Sequence, residues 1–193
     1  MSRATTKTSR PAFVPLGTKD ETRAFLLHVS YLRHRVFTTE RCFLDGHSES
    51  WAWDVTEGYE LATARHDSLG AFDPSEQGVG LAHILTRYPG LDVRYAIGEA
   101  DLTKPVLFVP WREGVSDGVA AGLLLIDGWH RLFRSVLEAA ETGEPRPLRA
   151  YYLTEDEARA VQIMPEAEPL GVPTRPGTLA LRQLSRYNIA RFK

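Results

Sequence analysis

The residues best placed to do chemistry are a carboxylate, an imidazole and a guanidinium that fall within five positions, Asp127, His130 and Arg131. They come directly after the apolar run Leu123–Ile126 and open an amphipathic stretch. This order predicts a strand, a tight turn at Gly128 and the first turn of a helix. Because a helix N-terminus presents unpaired backbone N–H groups and a partial positive charge, the pattern predicts an anion site, most naturally for phosphate.

Three residues of this segment also have structural interpretations. Gly128 suits any turn that requires a positive φ. Asp127 is either a helix N-cap or a group that contacts a metal-bound phosphate or accepts a proton, and the two roles can hold together. Trp129 is expected to pack in the core, with a lid over a base or substrate as the alternative.

His130 and Arg131 favour the functional interpretation. A charged histidine in the first turn of a helix opposes the helix dipole, so we expect His130 to donate to phosphate rather than to serve the fold. Arg131 could form a surface salt bridge with Glu155 or Glu157, but beside this turn we favour a forked contact with phosphate.

A phosphotransferase would need a second carboxylate from another element. Asp92, Glu99 and Asp101 precede the predicted strand Pro105–Pro110 and are the candidates, with solvated loop charges as the alternative for each. The spacing of histidines and cysteines does not predict a zinc site, since Cys42 has no CxxC partner.

The composition is that of an ordinary globular domain with extensions. The chain has 193 residues, of which 43% are hydrophobic and 25% charged, and its net charge of −2 gives no drive toward nucleic acid or membrane surfaces. The single cysteine, Cys42, cannot form an internal disulfide, and there is no apolar run of about 18 residues. We therefore expect a cytoplasmic protein that does not enter the membrane.

The elements before residue 81 are predicted as an extension of the core. Residues 1–12 are basic and polar and are expected to form a disordered arm. A helix is predicted over Thr18–Phe37 from its capping residues and apolar spacing. Trp51 and Trp53 alternate with Ala52 and Asp54, and Tyr59–Ala64 follows; two short strands are therefore predicted here, joined as a hairpin around Thr56–Gly58. Asp67–Gln77 is predicted to be a loop.

Strands and helices follow one another in the second half of the chain. A helix is predicted from Gly128 to about Thr142, and Thr154 fits a capping box that starts another helix. Leu81–Tyr88 is compatible with either a short helix or a strand. Strands are predicted at Pro105–Pro110, Leu123–Ile126 and Leu148–Leu153.

The succession of strand, Asp-Gly-Trp-His-Arg loop, helix, strand and Thr-Glu-Asp-Glu helix resembles the ParB/sulfiredoxin superfamily, in which a Gly-Xaa-His-Arg-like loop at a helix start cradles nucleotide phosphates. The resemblance covers Pro105–Ile163. The kinase-like branch typically reads Asp-Gly-His-His-Arg, and Trp129 replaces its first histidine. The resemblance implies an α+β fold with a ParB/sulfiredoxin-like mixed sheet and flanking helices, preceded here by an N-terminal extension made of a helix and a hairpin.

The chain then divides into four regions. They are a disordered arm (1–12), an N-terminal extension (13–80), a ParB/sulfiredoxin-like core (81–164), and a proline-rich linker with a C-terminal helix (165–193). The linker is expected over 164–177, which contains four prolines, and the helix over Thr178–Phe192.

The resemblance also implies a function. Gly128–Arg131 would hold the phosphates of ATP, ADP or CTP, and Asp127 would contact Mg²⁺ and act in catalysis with Asp101 and Glu99. The protein would then be a nucleotide-dependent phosphotransferase or NTPase acting on a small molecule or a protein. A sulfiredoxin-like role for Cys42 is not expected, because the catalytic cysteine of that branch lies inside the phosphate loop, where this chain has a tryptophan.

Two other functions stay open at this point. One is a DNA-associated ParB-like nuclease or nucleotide switch. It is disfavoured by the net charge of −2 and by the lack of a recognisable helix-turn-helix after the core, and we expect no stable sequence-specific DNA binding. The other is a non-catalytic binding module whose aromatic-rich N-terminal region forms the partner surface.

Overall fold

The computed structural model describes residues 35–42, 48–65, 67–111 and 122–163, which form seven strands and five helices. The strands are β1 (Val36–Cys42), β2 (Ser48–Asp54), β3 (Leu69–Phe72), β4 (Val106–Pro110), β5 (Leu123–Asp127), β6 (Leu148–Tyr152) and β7 (Gln162–Ile163). The helices are α1 (Val55–Ala64), α2 (Leu81–Arg87), α3 (Val93–Gly98), α4 (Trp129–Thr142) and α5 (Glu155–Ala160). One sheet is antiparallel and one is mixed, which confirms the predicted α+β class.

Several predictions concern segments outside these ranges: the arm over 1–12, the linker over 164–177, the helix over 178–192 and most of the helix over 18–37. The last two residues of that predicted helix, Val36 and Phe37, lie in β1, so the helix prediction is wrong there. These two residues pair with Asp54 and Trp53 of β2. The hydrogen bonds between the strands stabilise β1 more than the helical spacing of apolar residues stabilises a helix there.

The mixed sheet has the strand order β3-β6-β4-β5. β4 runs parallel to β6 and antiparallel to β5, while β3 is antiparallel to β6. Every residue from Val106 to Val109 is fully buried, as expected for an unbroken apolar run in a central strand. The strands predicted at Pro105–Pro110, Leu123–Ile126 and Leu148–Leu153 are confirmed as β4, β5 and β6.

Both faces of the mixed sheet are covered, because alternate residues of a strand point to opposite sides. Val106 and Phe108 belong to one hydrophobic cluster, which includes residues of α2, α3 and α4. Leu107 and Val109 belong to the other, which includes residues of α1, α5 and β2. Helices α4 and α1 therefore lie on opposite faces of the mixed sheet.

The antiparallel sheet has the order β1-β2-β7. Its central strand confirms the strand predicted from the alternation around Trp51 and Trp53, which are 1% and 0% exposed. Each packs edge-on against Trp111, with ring centroids 5.2 and 5.5 Å apart. The hypothesis that N-terminal aromatic residues form a partner surface is thus wrong for these two tryptophans, whose large rings stabilise the core instead.

The predicted hairpin around Thr56–Gly58 is wrong, because this segment lies in α1. Asp54 caps the helix: its Oδ1 accepts a hydrogen bond from the backbone N–H of Glu57 at 3.0 Å. Gly58 resembled a turn residue, but its role is close packing, since a Cβ atom there would lie 3.0 Å from Leu107 Cδ2.

The other helices largely follow the predictions. Leu81–Arg87 is helical, and α4 ends at Gly143, whose φ of 73° allows a left-handed C-terminal cap. The capping box at Thr154 is confirmed by its reciprocal hydrogen bonds with Glu157. The loop predicted over Asp67–Gln77 is wrong where β3 pairs with β6.

Over the described ranges, no helix has the length and apolarity needed to cross a membrane.

Candidate functional site

The site begins where β5 passes into α4 through Gly128. This glycine has a φ of 109°, and a Cβ atom added to it would lie 2.5 Å from Val106 Cγ1 and 2.9 Å from Val106 Cβ. Both the backbone conformation and the space exclude a larger side chain. The first turn of α4 is therefore held against the start of β4.

Gly128 is also the N-cap of α4, and within the described part of the chain no side chain caps the N–H groups of the first helical turn. No acidic residue lies in that turn. The alternative that Asp127 caps the helix is wrong, because its carboxylate points to other partners. The start of this fourteen-residue helix thus offers backbone donors and the positive end of the helix dipole.

The carboxylate of Asp127 is shared among three side chains. Its Oδ2 accepts hydrogen bonds from Arg131 Nη2 at 2.6 Å and from the Tyr59 hydroxyl at 2.8 Å. Its Oδ1 accepts a longer bond from Arg35 Nη1 at 3.4 Å. The side chains of Asp127 and Arg131 are 22% and 14% exposed, whereas that of Arg35 is 63% exposed. We call these four residues the Asp127 cluster.

The carbonyl oxygen of Pro105 closes the cluster from the start of β4. It accepts a hydrogen bond from Arg131 Nη1 at 2.8 Å, and the Tyr59 hydroxyl lies 2.8 Å from it as well. Tyr59 has one proton, which it donates either to this carbonyl or to Asp127. Burial, and next the negative charge of Asp127, raise the pKa of Tyr59 well above its usual range, so the hydroxyl stays protonated.

The structure excludes one of the two roles that we considered for Arg131 on sequence grounds, the surface salt bridge, while its contact with phosphate stays a prediction. Arg131 does not pair with Glu155 or Glu157; Glu157 pairs with Arg65, at 3.4 Å. Its fork instead spans Asp127 and the Pro105 carbonyl, which fixes the guanidinium beside the uncapped helix start.

His130 is tied to the neighbouring helix α3. Its Nε2 accepts a hydrogen bond from the backbone N–H of Asp92 at 3.2 Å, and its ring lies edge-on to those of Tyr88 and Tyr95. Burial lowers the pKa of His130 below its usual value, more than nearby charges offset, so the ring is neutral at neutral pH. A contact with phosphate, which stays a prediction, would use Nδ1.

Trp129 fills the core side of the same turn. It is 5% exposed and its ring stacks on that of Tyr88, with centroids 5.6 Å apart. This is the packing role expected for it from the sequence.

The three candidate second carboxylates are placed differently. Asp92 caps α3, accepting the Tyr95 N–H at 3.0 Å. Glu99 follows the end of α3 and is exposed. Asp101 accepts hydrogen bonds from the side chain and the backbone of Thr103, and these lower its pKa, with smaller contributions from Lys104 and Arg131. Asp101 therefore stays ionised within electrostatic reach of the Asp127 cluster.

The surroundings of Asp127 do not suit it as a direct Mg²⁺ ligand. Both of its oxygens face N–H groups of arginines, and the described ranges contain no group of three His, Cys, Asp or Glu side chains that could hold a metal ion.

Sequence reasoning missed Tyr59 and Arg35. They lie 68 and 92 residues from Asp127 along the chain, and Tyr59 was expected in a strand rather than on a helix facing β5. The useful local signal was Asp54, which caps the start of α1. It was overlooked because Asp54 also fits the alternating pattern of Trp51 and Trp53, which predicts a strand.

Comparison of the chain with protein-family models, with curated proteins and with solved structures finds no significant match. The resemblance to the ParB/sulfiredoxin superfamily thus rests on the Asp127–Arg131 motif and its strand–turn–helix setting.

Proposed function

We propose that the protein binds a nucleotide through its phosphates at the start of α4 and transfers a phosphoryl group there, to a small molecule, a protein or water. The single observation that supports this most is the uncapped N-terminus of α4 with Arg131 fixed beside it. Backbone N–H groups, the helix dipole and a guanidinium at one point form a favourable environment for phosphate. The resemblance to the superfamily's phosphate loop supports the same assignment.

The charge of the Asp127 cluster favours an anionic ligand. Two guanidinium groups, those of Arg35 and Arg131, face one carboxylate, which leaves one positive charge in excess. Arg131 contacts Asp127 and Pro105 through Nη2 and Nη1, and a guanidinium has further N–H donors to offer. A phosphate at the helix start would therefore find both a donor and the excess positive charge of the cluster.

Asp127 is the proposed base. Its Oδ2 is held by Arg131 and Tyr59, while Oδ1 has only the longer contact with the exposed Arg35 and can exchange that partner. In the transfer step, the attacking hydroxyl oxygen bonds to the terminal phosphorus, the bond from phosphorus to the bridging oxygen breaks, and the hydroxyl proton moves to Oδ1. Asp101 and Glu99 are the second choices for this role.

The proposed reaction suits the cytoplasm, which supplies nucleotides and keeps Cys42 reduced. The choice between ATP and CTP depends on contacts to the base, whereas the choice between ATP and ADP depends on the number of phosphate groups.

The proposal is tested by calorimetric titration of the full chain with ATP, ADP and CTP. Arg131→Ala should weaken the affinity for the bound nucleotide by about tenfold or more, the magnitude of a charge-assisted hydrogen bond. Arg134→Ala is a matched control on the same helix, because Arg134 likewise contacts one carboxylate, Glu138 at 2.7 Å, and one backbone carbonyl, Ala100 at 2.9 Å.

Loss of affinity in Arg131→Ala but not in Arg134→Ala, with circular dichroism of both variants unchanged, would support the site. Equal affinity in Arg131→Ala and in the unmodified chain, or no binding of any of the three nucleotides, would refute it.

A further inference from the structure

We infer that Arg35 makes the site selective for ligands with two adjacent phosphate groups. Arg35 gives up its contact with Asp127 and binds the outer phosphate instead. The inference rests on the proposed phosphate site and names its ligand class, a diphosphate or triphosphate rather than a monophosphate. It assigns to Arg35 a binding role that the Asp127–Arg131 motif does not include.

The backbone of Arg35 is anchored to the start of α1. Its N–H donates to Thr56 Oγ1 at 2.9 Å, and its carbonyl oxygen accepts the N–H of Val55 at 2.8 Å. The Cα atom of Arg35 is thus held in place by contacts that do not involve its side chain.

The side chain of Arg35, in contrast, has weak contacts. It is 63% exposed and its contact with Asp127 Oδ1 is 3.4 Å long. Its guanidinium carbon lies 5.6 Å from the centre of the Tyr59 ring, near the outer limit of a cation–π contact, which contributes little at an exposed site. Arg131, the other arginine on Asp127, is 14% exposed and bonded at 2.6 Å. Because an exposed ion pair of this kind contributes little to stability, Arg35 can exchange Asp127 for a ligand at small cost.

The position of Arg35 suits a second phosphate rather than the first. Arg131 Nη2 lies beside the helix start, 3.2 Å from the position that a Cβ atom of Gly128 would take, whereas Arg35 contacts the other oxygen of Asp127. A single phosphate at the helix start is served by the backbone N–H groups and Arg131. A second phosphate brings the additional negative charge that the remaining guanidinium can bind.

The exchange would also release Asp127 Oδ1, the oxygen to which the proton moves in the proposed transfer. Binding of an oligophosphate would thereby free the base at the same moment as it fills the site. A monophosphate would leave Arg35 on Asp127.

The test is calorimetric titration of the full chain with inorganic orthophosphate and with pyrophosphate, without Mg²⁺. The unmodified chain should bind pyrophosphate more tightly, and Arg35→Ala should weaken pyrophosphate binding by about tenfold while changing orthophosphate binding by less than about twofold. Arg146→Ala is the control: Arg146 is exposed between α4 and β6, outside the Asp127 cluster, and its replacement removes the same charge. Arg35→Gln, which keeps most of the side-chain length, serves as a second variant should Arg35→Ala fail to fold.

The outcomes separate the inference from the proposed function. A selective loss of pyrophosphate binding in Arg35→Ala, absent in Arg146→Ala, supports the inference. Equal losses for the two anions, or unchanged pyrophosphate affinity, overturn the role of Arg35 while leaving the phosphate site intact. Failure of the unmodified chain to bind either anion overturns both.

Discussion

At the residue scale, Asp127 has the surroundings of a group that is held rather than free. Arg131 and Tyr59 fix one oxygen, and the exposed Arg35 touches the other. This arrangement also changes what its replacement should do to stability. If Asp127 capped α4, asparagine would serve almost as well, since the two residues cap with similar strength. Asp127 instead neutralises a largely buried arginine, which asparagine cannot do.

We therefore expect Asp127→Asn to affect both stability and turnover. The unfolding free energy should fall by about 1–2 kcal/mol in urea denaturation, because Arg131 loses its charge partner but keeps an acceptor. Turnover of the bound nucleotide should fall by about 100-fold, the contribution typical of a general base. Asp73→Asn is the control, since Asp73 lies outside the Asp127 cluster and its Oδ1 accepts a hydrogen bond from the backbone N–H of Ser75 in its own turn.

Nucleotide turnover at the original rate in Asp127→Asn, with nucleotide still bound, would contradict the catalytic role and move the base to Asp101 or Glu99. Unchanged unfolding free energy would show that the Arg131–Asp127 pair contributes nothing to the fold.

At the element scale, the strand–turn–helix unit of β5 and α4 depends on one glycine. Its backbone has a φ of 109°, and Val106 fills the space where a Cβ atom would lie. This unit could be predicted from the sequence, because an apolar run, an Asp-Gly turn and an amphipathic helix are adjacent in the chain and each signal is local. The segment Thr56–Gly58 could not, because Gly58 serves close packing on Leu107 and only the folded structure contains that contact.

Gly128→Ala should destabilise the protein by about 3 kcal/mol, combining the cost of a left-handed backbone with that of overpacking against Val106. Gly143→Ala is the matched control at the other end of α4: its φ is 73°, but a Cβ atom there would meet nothing within 4 Å. It should cost about 1 kcal/mol, from the backbone term alone. Thermal and urea unfolding of the two variants would measure the difference. Equal losses would contradict the contact with Val106.

At the scale of the whole molecule, the Asp127 cluster and the Pro105 carbonyl that closes it come from four segments: the residue before β1, helix α1, the start of β4, and the β5–α4 junction. Local sequence pattern predicts the last two of these segments, the strand expected over Pro105–Pro110 and the Asp127–Arg131 motif. Tyr59 reaches Asp127 because α1 packs on the mixed sheet. Arg35 reaches it because the backbone of Arg35 is hydrogen-bonded to the start of α1. These contacts join residues 68 and 92 positions apart and are set by tertiary packing. Hydrophobic periodicity and helix-capping signals are local and do not predict such contacts.

The most direct test of the phosphate site is a titration of the ¹⁵N-labelled full chain with pyrophosphate, followed by the amide shifts of the whole molecule. The largest shifts should occur at Gly128, Trp129, His130 and Arg131, whose N–H groups lie at the uncapped start of α4. The start of α5 is an internal control, because Thr154 caps it and three acidic residues occupy its first turn, so it should not respond. A titration in which the amides of Gly128–Arg131 do not move, or in which the largest shifts fall elsewhere, would contradict phosphate binding at α4.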